Sequence, residues 1–148
     1  MNKKLIVSAL VITSATIGCC VLKVSKDKRQ KREKEIITKA TVMNEVLERC
    51  LMNELTNYNH NKTRKRKEVS AVWDEFKEAY FTQYTNKTID IYELEETIDK
   101  IYQKLQELYG EEKIKVRYNT NEYYITFTQL WYDIYNKLSY VNENIENI

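Results

Sequence analysis

IITKATVMNEVLERCLMNELTNY, residues 36–58, places its apolar side chains at steps of three and four. Ile36, Ala40, Met43, Leu47, Leu51, Leu55 and Tyr58 make one stripe, and Ile37, Val46 and Cys50 widen it. Six steps cover 22 residues, close to the period of a straight helix. The pattern predicts an amphipathic helix that must bury this face against other elements. The chain has 148 residues, no proline and only two glycines, Gly18 and Gly110. Sheets need turn residues at close intervals, so long helices joined by short polar loops are expected. The fold class is therefore mainly α, a small bundle of about four amphipathic helices.

After this stretch, Tyr58-Asn59-His60-Asn61 supplies turn chemistry. A second helix is expected over about Glu68–Tyr84, with Val69, Trp73, Phe76, Tyr80 and Tyr84 on its apolar face. A third begins at Asp90, where Asp90 and Glu93 have the spacing of a capping box and Ile89 can staple onto Leu94. Its Leu94, Ile98, Ile101, Leu105 and Leu108 alternate steps of four and three, which suits a bundle helix and resembles a coiled-coil seam. Gly110 stands where a helix C-terminus needs a left-handed residue. Residues 113–125 alternate polar and apolar around Asn119-Thr120-Asn121, the signature of one short β-hairpin. A last helix follows a second capping box at Thr126 and Gln129, with Phe127, Trp131, Ile134, Leu138, Val141 and Ile145 on its face.

Working back from residue 36, the composition changes twice. Residues 23–35 are almost wholly polar and read as a basic juxtamembrane stalk, helical or flexible. Before it, LIVSALVITSATIGCCVL, residues 5–22, holds no charged residue. A bilayer core takes about 20 apolar helical residues, with a lower limit near 17. A single-pass transmembrane helix, acting as an uncleaved signal-anchor, is thus the first expectation for residues 1–22. Lys3 and Lys4 precede the run, whereas Lys23, Lys26, Lys28, Arg29, Lys31, Arg32 and Lys34 follow it. The side with more Lys and Arg stays inside, which puts the domain at 36–148 in the cytoplasm. Thr16-Ile17-Gly18-Cys19 also resembles a lipobox, with Cys19 as the residue that would be lipidated. It departs from that pattern at Thr16. If it acts, the protein is an exported, lipid-anchored surface protein.

Charge separates the chain further. Residues 1–35 carry nine Lys/Arg against three Asp/Glu, and residues 68–148 carry eight against sixteen. An acidic distal domain is a poor binder of duplex nucleic acid, whose phosphates dominate affinity. It suits a protein partner or a second copy. The basic residues Lys62, Arg64, Lys65, Arg66 and Lys67, together with those at 23–34, are the candidates for contact with phosphates or acidic lipid. The alternative function they define is a membrane tether for nucleic acid.

No catalytic or metal site is expected. His60 is the only histidine, so triads and histidine-based metal clusters are excluded. No glycine-rich phosphate loop exists, and no cofactor or small-molecule substrate is implied. The acidic group Glu93, Glu95, Glu96 and Asp99 has the spacing of an ordinary solvated helix face. Cys19, Cys20 and Cys50 form no disulfide framework, and Cys50 reads as a small buried hydrophobe.

Overall fold

The computed structural model describes residues 23–56 and 63–146, with side chains for 28–56 and 64–141. The apolar run 5–22, Cys19, the turn at 58–61 and Lys62 lie outside these residues. Among the described residues no helix is long and apolar enough to cross a membrane, so the expected transmembrane helix has no counterpart there.

The described chain is mainly helical, with one two-stranded antiparallel sheet. Its elements are α1 (Lys23–Thr56), α2 (Thr63–Lys77), a π-helical continuation (Glu78–Tyr84), α3 (Ile91–Tyr109), β1 (Lys113–Tyr118), β2 (Asn121–Thr126) and α4 (Phe127–Glu146). α1 is one helix of 34 residues and crosses residue 36 without a break. At 1.5 Å per residue it is about 50 Å long.

α1 organises the rest. α2, α3, α4 and β1 all pack on it. Ile36, Ala40, Met43 and Leu47 are fully buried, as the stripe requires, but so are Val42 and Val46 on other sides of the helix. Thr38 and Thr41 are buried too, and their hydroxyls donate to the Lys34 and Ile37 carbonyls one turn back. A helix buried nearly all round is a central helix, not the surface helix that a single stripe describes. Near its end the buried line runs through Cys50, Asn53 and Glu54. Leu55, on the expected stripe, is 46% exposed.

α2 starts at Thr63, five residues before the sequence pattern implies, so the basic cluster occupies its first turns. Its continuation is wider than expected. Phe76 and Phe81, five residues apart, meet edge-on at 6.4 Å, a contact that the i→i+5 turn of a π-helix favours. The hydroxyls of Thr85 and Thr88 donate to carbonyls five residues back, those of Tyr80 and Gln83. Tyr80 hydrogen-bonds Thr41, and Tyr84 lies beside Glu33, so this arm runs antiparallel to α1.

α3 returns parallel to α1. Its capping box is complete, with the Glu93 amide donating to Asp90 Oδ1 at 2.8 Å and the Asp90 amide donating to Glu93 Oε1. It ends at Gly110, whose φ of 53° is the region a side chain disfavours. The hairpin follows, in the register Lys113↔Thr126 to Tyr118↔Asn121. Ile114 and Val116 fill the core while the tip stays exposed. The second capping box also forms, with the Gln129 amide donating to Thr126 Oγ1 and the Thr126 amide to Gln129 Oε1. α4 then packs Phe127, Leu130, Trp131 and Ile134 into the core.

Candidate functional site

The most site-like constellation lies in the upper core, where α1, α3 and β1 meet. Cys50, Asn53 and Glu54 come from consecutive turns of α1, Tyr109 from the last turn of α3, and the Lys115 backbone from β1. Asn53 Nδ2 donates to Glu54 Oε2 at 2.8 Å, and the Tyr109 hydroxyl donates to the same oxygen at 2.9 Å. Asn53 Oδ1 accepts the Lys115 amide at 3.0 Å. Lys115 pairs with Tyr124 across the hairpin, and this amide points the other way, so Asn53 fastens the outer edge of β1 to α1. Glu54 is only 3% exposed, and its Oε1 has no hydrogen-bond partner among the described residues.

Burial sets the electrostatics of this cluster. The Cys50 thiol is pushed up from 9.0 to about 12, mainly by desolvation, although its hydrogen bond with Tyr109 pulls the other way. The Tyr109 hydroxyl is also held well above its ordinary value, first by burial and then by Cys50 and Glu54 beside it. A thiol with such a pKa is neutral at physiological pH and is a poor nucleophile. One edge of the cluster approaches the surface, where Lys65 pairs with Glu112 and sits 5.0 Å over the Tyr109 ring. The arrangement can lock three elements together by hydrogen bonds.

The basic residues that the sequence marks out have several fates. Lys28 and Lys31 are exposed on α1. Arg29 pairs with Glu33 at 3.7 Å. Arg32 donates to both carboxylate oxygens of Glu95, at 2.7 and 2.9 Å, and Lys39 reaches the same carboxylate at 3.1 Å. Lys34 is half-buried, and desolvation lowers its pKa. Lys23 and Lys26 lie on the first turns of α1. In the other cluster Arg64 pairs with Glu68 at 3.2 Å and Lys65 with Glu112, whereas Arg66 and Lys67 are exposed. The two clusters do not come together. From Lys31 to Thr56 α1 climbs about 38 Å, and α2 begins at that far end.

The acidic group on α3 does not converge either. Glu93 caps the helix, Glu95 clamps α1, Glu96 pairs with Lys100, and Asp99 is exposed. No group of His, Cys, Asp or Glu among the described residues is arranged to hold a metal ion. Cys50 is buried as its place on the apolar face implies, but Asn53 and Glu54 were not foreseen beside it, because Leu51 and Leu55 continue the apolar period one residue out of phase with the buried line. The available signal was the heptad step from Ile36 through Ala40, Met43, Leu47 and Cys50, which lands on Glu54. The chain matches no protein-family model, no curated protein and no solved structure.

Proposed function

We propose that the protein is a membrane-tethered interaction protein without enzymatic activity. Residues 5–22 act as a single-pass anchor, the basic residues after it keep the domain on the cytoplasmic side, and the acidic helical surface engages a protein partner or a second copy of the chain. One observation carries the reading: the uncharged run ends at Leu22, directly before α1, the helix on which the other elements pack. A tether that is also the central helix ties the position of the binding surface to the bilayer. The closed, hydrogen-bonded cluster around Glu54 supports a structural role for the buried polar groups. Holding nucleic acid through both basic segments draws no support from their separation along α1.

Membrane fractionation tests the proposal. The full chain stays with the membrane after alkaline carbonate extraction, and a chain starting at residue 23 is released. A full chain found in the carbonate supernatant overturns the anchor. Mass spectrometry of the mature N-terminus decides the attachment, because an intact Met1 supports the single-pass form and a lipidated Cys19 replaces it with the exported form. In-cell cross-linking of the full chain yields species above the 17.8 kDa monomer. A chain that remains monomeric and uncross-linked overturns the interaction role.

A further inference from the structure

We infer that the end of the bundle from which α1 emerges is a lipid-facing surface, where Lys87 joins Lys28 and Lys31 in binding acidic headgroups. This deepens the membrane-tethered reading and rests on it. The length of chain outside the structure, and where it ends, set the geometry. The apolar run stops at Leu22, and α1 starts at Lys23. Arg32, nine residues on, stands about 14 Å further along the helix. There it grips Glu95 of α3 through two hydrogen bonds.

α3 is parallel to α1, so Asp90, five residues before Glu95, lies about 7 Å closer to the anchor than that clamp. The loop 85–90 therefore sits roughly 7 Å above the level of Lys23, within the reach of a charged membrane surface, whose screening length is about 8 Å at physiological salt. Charge complementarity identifies the occupant. Lys87 is the one charged residue from Ala79 to Ile89. It is exposed, and its φ of 60° places it in a turn conformation that lysine seldom adopts. Asn86 and Thr88 beside it are exposed and uncharged. Among the described acids at this end, Glu33 pairs with Arg29 and Glu35 with Arg32, while Asp90 and Glu93 accept backbone amides in the capping box. Three exposed lysines, with Glu33 and Glu35 paired to arginines on the same helix, fit an anionic bilayer. The cluster at Arg66 and Lys67 stands at the opposite end and is outside the reach of the same bilayer.

Lysine footprinting tests this on the full chain in lipid nanodiscs, without any substitution. Each lysine is acylated at limiting reagent in neutral discs and in discs containing acidic phospholipid, and the rates are read by mass spectrometry. A surface potential of about −30 mV lowers the free-amine fraction about threefold, and direct headgroup contact lowers it further. Lys28 and Lys87 are expected to slow by about that factor in acidic discs, and Lys31, about 12 Å along the helix from Lys23, by less, with Lys67 unchanged. Equal rates for Lys87 and Lys67 in both lipids overturn the inference and leave the anchor intact. A full chain that fails to enter the discs overturns the anchored reading, and this inference with it.

Discussion

At Glu54 two donors, Asn53 Nδ2 and the Tyr109 hydroxyl, converge on a single carboxyl oxygen while the other oxygen is buried without a partner among the described residues. That asymmetry makes two substitutions diverge. Glu54→Gln keeps an acceptor for both donors and places an amide where the empty oxygen stood, so urea denaturation should show a change within about 1 kcal/mol. Glu54→Ala strands both donors and opens a void, and the same measurement should show a loss of about 2–4 kcal/mol. The neighbouring thiol supplies a pH prediction. Cys50 and Tyr80 are neutral when protonated, and both are pushed up to about 12, from 9.0 and 10.0. The folded protein thus keeps these protons to higher pH than the unfolded chain does. Their contribution is complete below the unfolded values and is lost as pH rises from about 9 toward 12. Thermal unfolding followed across that range should show a falling midpoint, and Cys50→Ala should shallow the fall.

At the scale of the element, α1 separates what the sequence discloses from what it conceals. Leu47 and Leu55 belong to one apolar stripe, yet Leu47 is fully buried and Leu55 is 46% exposed. Leu47→Ala should cost about 2–5 kcal/mol, as for other large-to-small core changes. Leu55→Ala should stay within about 0.5 kcal/mol, as surface changes do. Equal costs at the two positions would show that the stripe, and not the heptad line through Cys50 and Glu54, faces the core. The capping boxes at Asp90 and Thr126, the stop at Gly110 and the hairpin at 113–126 were legible because each is a local bargain among neighbours in sequence. The burial of α1 on nearly every side was not legible, since it depends on how many helices choose the same partner. The π-helical continuation has the same origin: Phe76, Tyr80 and Tyr84 look like an ordinary amphipathic face, and nothing in their spacing announces that Phe76 and Tyr80 also meet the ring of Phe81. The polar lock was hidden because periodicity registers only apolar positions.

For the whole molecule, a hub helix sets the order of local opening. The amides of 36–50 on α1 lie beneath α2, α3 and α4 and are expected to exchange slowest, near the rate of global unfolding. Those of β2, whose residues 121–124 are all exposed, should exchange orders of magnitude faster. Uniform protection across the hairpin and α1 would contradict this hierarchy. Candidate interaction sites were only partly visible in the sequence. It identified the basic residues at 23–34 and 62–67, though neither Lys39 nor Lys87, and the distance between the two clusters emerges only once α1 is seen to be unbroken. Arg32 illustrates the limit, because its partner Glu95 lies 63 positions away in the chain.

If the chain is tethered as proposed, the unbroken passage of α1 through residue 36 also bears on how it is shed from a membrane. In many tethered proteins a protease severs a loose linker and frees an intact domain. Here a cut within 36–54 would break the central helix of the core itself, since Ile36, Ala40, Met43 and Leu47 are fully buried. Even a cut after Arg32 would discard half of the clamp on Glu95. Only cleavage before about Lys28 spares every described contact, which leaves release and destruction separated by little more than one turn of helix.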